Sequence, residues 1–348
     1  MTAPNERKAT MSNSLTPRER METVFKGRQP DRAPVFLLLG GHCAEKAGYT
    51  LHQFLTDPGA AIDILKVTAQ EIESDNLFVP FNPYMPDAQE AIRTLMGKLP
   101  SVKKADIKEK LPKWKVREPR EDKLFAQHLD LCQKTAELFP DYHLETLVGG
   151  PWSMAMELRG IEEALEDVYE DKEFLHALMN YTTETVIVRS LAAAEYGITP
   201  FIGDPSSGMS LISPAIYREF VYPYHKRLVD ALHKKGSRIV FHICGYVDPI
   251  LEDLLSLGMD GLSIDAPTSL EILYSLDRGK TVVIGNIDPL LFVRGTREDL
   301  EGKVKECLRI AGGDPRYVIG PGCQIPIAAS LENIRFFVDC CHRYGTYA

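Results

Sequence analysis

The chain has 348 residues, 44% hydrophobic and 26% charged, and its formal net charge is −9. This is the composition of a globular protein long enough to bury a full core, and its acidity excludes nucleic acid as the expected partner, because phosphate contacts need a basic surface. The longest apolar stretches, such as Val35 to Leu39, are too brief to cross a bilayer, so no membrane partner is expected either.

Residues 1–14 mix Asn, Ser, Thr, Lys and Arg without periodicity and read as a mobile leader. The first 20 residues hold no continuous apolar h-region. Residues 15–348 read as one domain. Apolar, β-prone runs bounded by turn residues predict eight strands in order: 33–39, 76–80, 143–148, 199–202, 238–242, 261–264, 281–284 and 317–319. Amphipathic stretches of helical length lie between most of them, at 162–170, 172–195, 214–235 and 249–257, the last with a Gly258 stop. Strict alternation of near-continuous apolar strands with helices predicts a parallel sheet covered by helices, and eight such units predict an α/β fold of the (β/α)8 TIM-barrel type. A doubly wound open sheet is the alternative, but the Gly-x-Gly-x-x-Gly expected after its first strand is missing.

An insertion over about 84–125 is expected after the second strand. Its part from Lys98 to Lys123 carries ten Lys or Arg against five Asp or Glu, with Trp114 and three prolines among them. Such a segment is a solvated excursion or a docking surface for an acidic protein or anionic ligand.

In a parallel barrel the chemistry sits at the carboxyl ends of the strands. The fifth predicted strand runs into His242-Ile243-Cys244-Gly245, and Gly322-Cys323-Gln324 follows the eighth, 79 positions after Cys244. Side chains two apart on a strand face the same side, so His242 and Cys244 are able to grip one ion. With Cys323 they supply three of the four ligands of tetrahedral zinc and leave one position for substrate, as in a catalytic site. No Cys-x-x-Cys pair of the structural kind occurs. Asp265, ending the sixth strand, is a candidate fourth ligand that leaves when substrate arrives, a partner for the other nitrogen of His242, or a plain loop acid. Asp204, Asn286 and Gln324, with His42 and Tyr84, are expected to line a substrate pocket because each follows a strand at the same end. Seven cysteines, an odd count without secretory spacing, fit a reducing, cytoplasmic compartment.

The sequence resembles the uroporphyrinogen decarboxylase superfamily, and within it the zinc methyltransferases that work with methylcobalamin proteins. The resemblance rests on Thr16-Pro17-Arg18-Glu19-Arg20, the stretch from Gly27 to Val35, Gly149-Gly150-Pro151, Asp204-Pro205, Ile212-Ser213-Pro214, His242-Ile243-Cys244-Gly245, Gly285-Asn286-Ile287-Asp288-Pro289, and Gly320 to Cys323 with Leu331-Glu332-Asn333-Ile334. It implies zinc on His242, Cys244 and Cys323 and a corrinoid, methylcobalamin, carried by a partner protein, since no Asp-x-His-x-x-Gly occurs in this chain. The implied reaction moves a methyl group from methylcobalamin to a zinc-bound thiol. The alternatives are the reverse transfer, from a methoxyarene or methylamine donor to Co(I), a decarboxylase-type lyase, and a barrel that only binds. True decarboxylases hold porphyrinogen carboxylates with an arginine-rich first loop, whereas here that loop reads Leu37-Leu38-Leu39-Gly40-Gly41-His42-Cys43.

Overall fold

Among the described residues, seven short strands, all parallel and each paired to the next in chain order, make one curled sheet. They are β1 (Asn76–Val79), β2 (His143–Gly149), β3 (Thr199–Gly203), β4 (Val240–Ile243), β5 (Gly261–Ile264), β6 (Val282–Ile287) and β7 (Tyr317–Pro321). The computed structural model describes residues 15–80, 104–276 and 279–347. The expected leader, Tyr84 and residues 84–103 of the expected insertion lie outside them. Among the described residues no helix is long and apolar enough to cross a membrane.

The first predicted strand, 33–39, is not a regular strand, and the reason is chemical. On the β7 side it pairs through one parallel bridge, Val35 to Ile319, with Phe36 N–H donating to Ile319 O at 2.9 Å and Ile319 N–H to Pro34 O at 3.0 Å. On the β1 side one backbone bond, Asp75 N–H to Val35 O at 2.8 Å, is supplemented by side chains. Val35 N–H donates to Asp75 Oδ2 at 2.7 Å, Leu37 N–H donates to Asn76 Oδ1 at 2.8 Å, and Asn76 Nδ2 returns a bond to Leu37 O. The segment thus joins both edges of the sheet, and the architecture is barrel-like with seven strands and one irregular stave. Asp75 is fully buried and also receives Arg20 at 2.5 Å and Arg32 at 2.6 Å, while Arg20 binds Asp31 through a second pair of bonds. These charges join the helix Pro17–Phe25 to the closing seam.

Strand alternation sorts the apolar residues into two layers. Phe36, Phe201, Val240, Val282, Ile284 and Val318 fill the interior with Met21 and Val24 of the helix Pro17–Phe25, whereas Phe241, Ile243, Leu262, Ile264, Val283 and Ile319 face the surrounding helices. The rings of Phe36, Phe78 and Phe201 pack with centroids 5.2–5.8 Å apart. Each such buried side chain contributes roughly 1.5–3 kcal/mol relative to exposure. The barrel is therefore a packed core, and open space for chemistry lies at its carboxyl-end mouth.

The predicted helices at 162–170 and 172–195 form as Ile161–Glu170 and Lys172–Ala194. The one at 214–235 is interrupted by a π-helical stretch, Tyr217–Val221. Of the charged segment, residues 104–122 lie against the helix Lys172–Ala194: Ile107 is buried in the main core, Trp114 meets Tyr181 at 5.1 Å, and Lys108 pairs with Asp171.

Candidate metal centre

The inward row of β4 is Val240, then His242, and the backbone carries the same side onward to Cys244. Gly245 turns the chain there with φ +79°, a conformation that glycine alone adopts without strain. The two neighbouring strand ends, after β5 and on β6, hold this turn. Gly245 N–H donates to Asp265 Oδ2 at 2.7 Å, Thr268 Oγ1 donates to Gly245 O at 2.8 Å, and Asn286 Nδ2 donates to Thr268 O at 2.6 Å.

Cys323 arrives from β7 along an equally confined path. Gly322 N–H donates to Ile287 O at 2.7 Å, and a Cβ at position 322 would stand 2.5 Å from Ala266 N, so the residue before Cys323 has room only for hydrogen. Beyond it, Ile325 N–H bonds Leu38 O at 3.1 Å and His42 Nε2 donates to Pro326 O at 3.1 Å. His42, expected in the substrate pocket, thus fastens the Cys323 loop to the irregular stave.

These constraints bring His242, Cys244 and Cys323 together, with one donor atom of each within 4.8 Å of the others. His242 Nε2 is 3.2 Å from Cys244 Sγ, and the two sulfurs are 3.7 Å apart. His242 is buried and the cysteines are partly exposed. The hydrogen bond with Cys244, helped by His242, holds the Cys323 thiol well below its ordinary range, and the same bond, with burial, pushes Cys244 up. The set fits a tetrahedral zinc ion, whose sulfur ligands at about 2.3 Å stand about 3.8 Å apart.

Two further candidates have other partners here. Asp265 is outside the grouped donor trio; its Oδ2 accepts Gly245 N–H and its Oδ1 accepts Ala266 N–H, both at 2.7 Å. Nor does it partner His242, whose Nδ1 faces Ser263 Oγ at 3.2 Å. Burial raises the Asp265 carboxyl, with the two backbone bonds opposing. Asp204, expected in the pocket, is fully buried behind the mouth, where its carboxylate accepts Trp152 N–H, Ser153 N–H and Ser153 Oγ and lies 2.8 Å from His225 Nε2. It caps the helix Pro151–Arg159 instead. Asn286 spends its amide hydrogens on Asp265 O and Thr268 O, and Gln324 is exposed at the rim.

Sequence reasoning missed Ser263, Thr268 and Phe201, the last stacked on His242 at 5.8 Å and 21°. Ser263 shares a register row with His242, which only the pairing of β4 with β5 discloses. It also missed Glu157, whose carboxyl burial raises from an ordinary 4.5 to about 7, with Asp204 adding repulsion. A raised acid contributes its stability below the unfolded value and loses it as pH rises through the folded one, so this loss falls between pH 4.5 and about 7. Glu157→Gln is therefore expected to raise the unfolding midpoint at pH 8 and leave it unchanged at pH 4; equal effects at both pH values would refute this.

A parallel barrel-like α/β scaffold that carries a His–Cys–Cys donor set at its carboxyl-end mouth defines the class of protein. The family model of uroporphyrinogen decarboxylase (URO-D) matches residues 16–344, and the chain belongs to that family. Its relatives include the methylated-thiol–coenzyme M methyltransferase of Methanosarcina mazei, 30% identical over 56% of this chain and 52% of the relative. The methylcobamide:CoM methyltransferase of Methanosarcina acetivorans is 28% identical over 56% of each chain, and the uroporphyrinogen decarboxylase of Syntrophotalea carbinolica is 31% identical over 51% and 50%. The alignments span about half the length of these curated relatives. A solved methyltransferase from Methanosarcina mazei shares the fold over 95% of this chain and 99% of its own, with a TM-score of 0.74 and 21% identity.

Proposed function

We propose that this protein is a zinc-dependent methyltransferase that moves a methyl group between a corrinoid carried on a separate protein and a small thiol. The observation that carries the reading is the donor set: one imidazole and two sulfurs, 3.2 and 3.7 Å apart, at the barrel mouth. His242, Cys244 and Cys323 would hold the ion and leave one position for substrate. When bound, zinc deprotonates a substrate thiol at neutral pH, where a free thiol is only a few per cent thiolate. The chain's own residues do the rest. Gly245, Thr268 and Asn286 fix the Cys244 turn, His42 and Gly322 fix the Cys323 loop, and the Phe36–Phe78–Phe201 core closes the barrel beneath the cluster against water. Gln324, beside Cys323 on the rim, is left to meet the substrate.

The decarboxylase relatives do not tip the reading the other way, because the 37–43 loop offers no cation for a porphyrinogen carboxylate. The purified protein, incubated with zinc, methylcobalamin and coenzyme M or another small thiol, is expected to show thiol-dependent loss of methylcobalamin absorbance. A zinc-loaded protein that demethylates methylcobalamin with no thiol would overturn the reading. Consumption of a methoxyarene or methylamine in the presence of Co(I) corrinoid protein would instead assign the reverse direction.

A further inference from the structure

A metal-binding imidazole needs its other nitrogen held by an acceptor. Carboxylates commonly serve, and the one nearby, Asp265, is committed to Gly245 and Ala266. Ser263 stands where the acceptor must be. It lies on β5 directly opposite His242 on β4, on the same inward face, and is fully buried. Its Oγ is 3.2 Å from His242 Nδ1, while Phe201 stacks on the ring face. With Nδ1 bonded there, Nε2 is the atom left to face the sulfurs, 3.2 Å from Cys244 Sγ.

We propose that Ser263 is a positioning residue of the metal centre: its hydroxyl accepts the Nδ1–H of His242 and thereby presents Nε2, unprotonated, as the nitrogen donor. The proposal rests on the zinc reading above and adds to it which nitrogen binds and what selects it. A hydroxyl does this through two alternatives. Oγ as acceptor leaves Nε2 bare, whereas Oγ as donor to Nδ1 puts the ring hydrogen on Nε2, where it points at the Cys244 sulfur and blocks the metal. Only the first arrangement is compatible with an ion held on Nε2, and the Ser263 hydroxyl is the group that makes it available. In Ser263→Ala the Nδ1–H has no acceptor on this face, so the tautomer with Nε2–H bonded to sulfur gains and zinc must displace it.

The test measures zinc affinity by competition with a chromophoric chelator and the tautomer of His242 by long-range ¹⁵N–¹H correlation, in the full chain with and without zinc. Wild type is expected to show zinc on Nε2 and hydrogen on Nδ1. Ser263→Ala is expected to bind zinc roughly 10- to 100-fold more weakly, with unchanged circular dichroism and a larger Nε2–H population in the zinc-free protein. Ser263→Thr, which keeps the hydroxyl, should recover most of the affinity. Zinc affinity of Ser263→Ala within twofold of wild type, or coordination of zinc through Nδ1 in wild type, would overturn the proposal while leaving the metal site standing. Wild type that takes up no zinc would instead sink the metal reading itself.

Discussion

Cys323→Ala, Cys244→Ala and His242→Ala are each expected to lose zinc and methyl transfer together while keeping the fold. Among the described residues the donor group has these three members, and Asp265 nearby is held by two backbone amides. Without the ion a substrate thiol returns to its ordinary acidity, and losing several kcal/mol of transition-state stabilisation corresponds to about a 10³-fold drop in turnover. The fold should survive because the cluster lies above a core built of other residues, and both cysteines are already partly exposed. Elemental analysis, circular dichroism and a methylcobalamin assay on the three variants check this. Any variant that keeps both zinc and activity removes its residue from the site. Stripping zinc from wild type with a chelator should reproduce the same loss, and adding it back should restore turnover.

Asp75→Ala is expected to act in the opposite way, on stability and not on the metal. Its carboxylate receives Arg20, Arg32 and the Val35 amide at 2.5–2.7 Å and has no exposure to solvent. Removing it leaves two guanidinium groups at the seam without their shared anion and leaves the Val35 N–H unpaired. Breaking a buried pair from one side costs about 3–5 kcal/mol. Urea unfolding of the full chain measures the loss, and a cost under about 1 kcal/mol would show that the seam is held by its backbone bonds and by Asn76 without the buried charges. Zinc content of the folded fraction should not change, because Asp75 precedes β1 and so lies at the end of the barrel away from the mouth.

Much of this was legible in the chain itself. Periodicity located seven strands to within three residues at each end, because strands buried on both faces are written as continuous apolar runs, and the turn glycines bracket them. The His-x-Cys spacing alone placed His242 and Cys244 on one face, since side chains two apart on a strand share a side whatever surrounds them. The tertiary structure decided the rest. That Cys323 meets them depends on β7 closing against residues 34–36 and on Gly322 slipping past Ala266, contacts more than 50 residues apart that no local pattern encodes. Asp204 and Asp265 look alike in the sequence, each an acid just past a strand, and their fates differ through neighbours from other strand ends: Asp204 is sealed over by Trp152, Ser153 and His225, and Asp265 is tied to the Gly245 turn. Ser263 carries no motif at all. Its role comes from register, a one-to-one alignment of β4 with β5, and register is set by packing the whole sheet rather than by any residue in it.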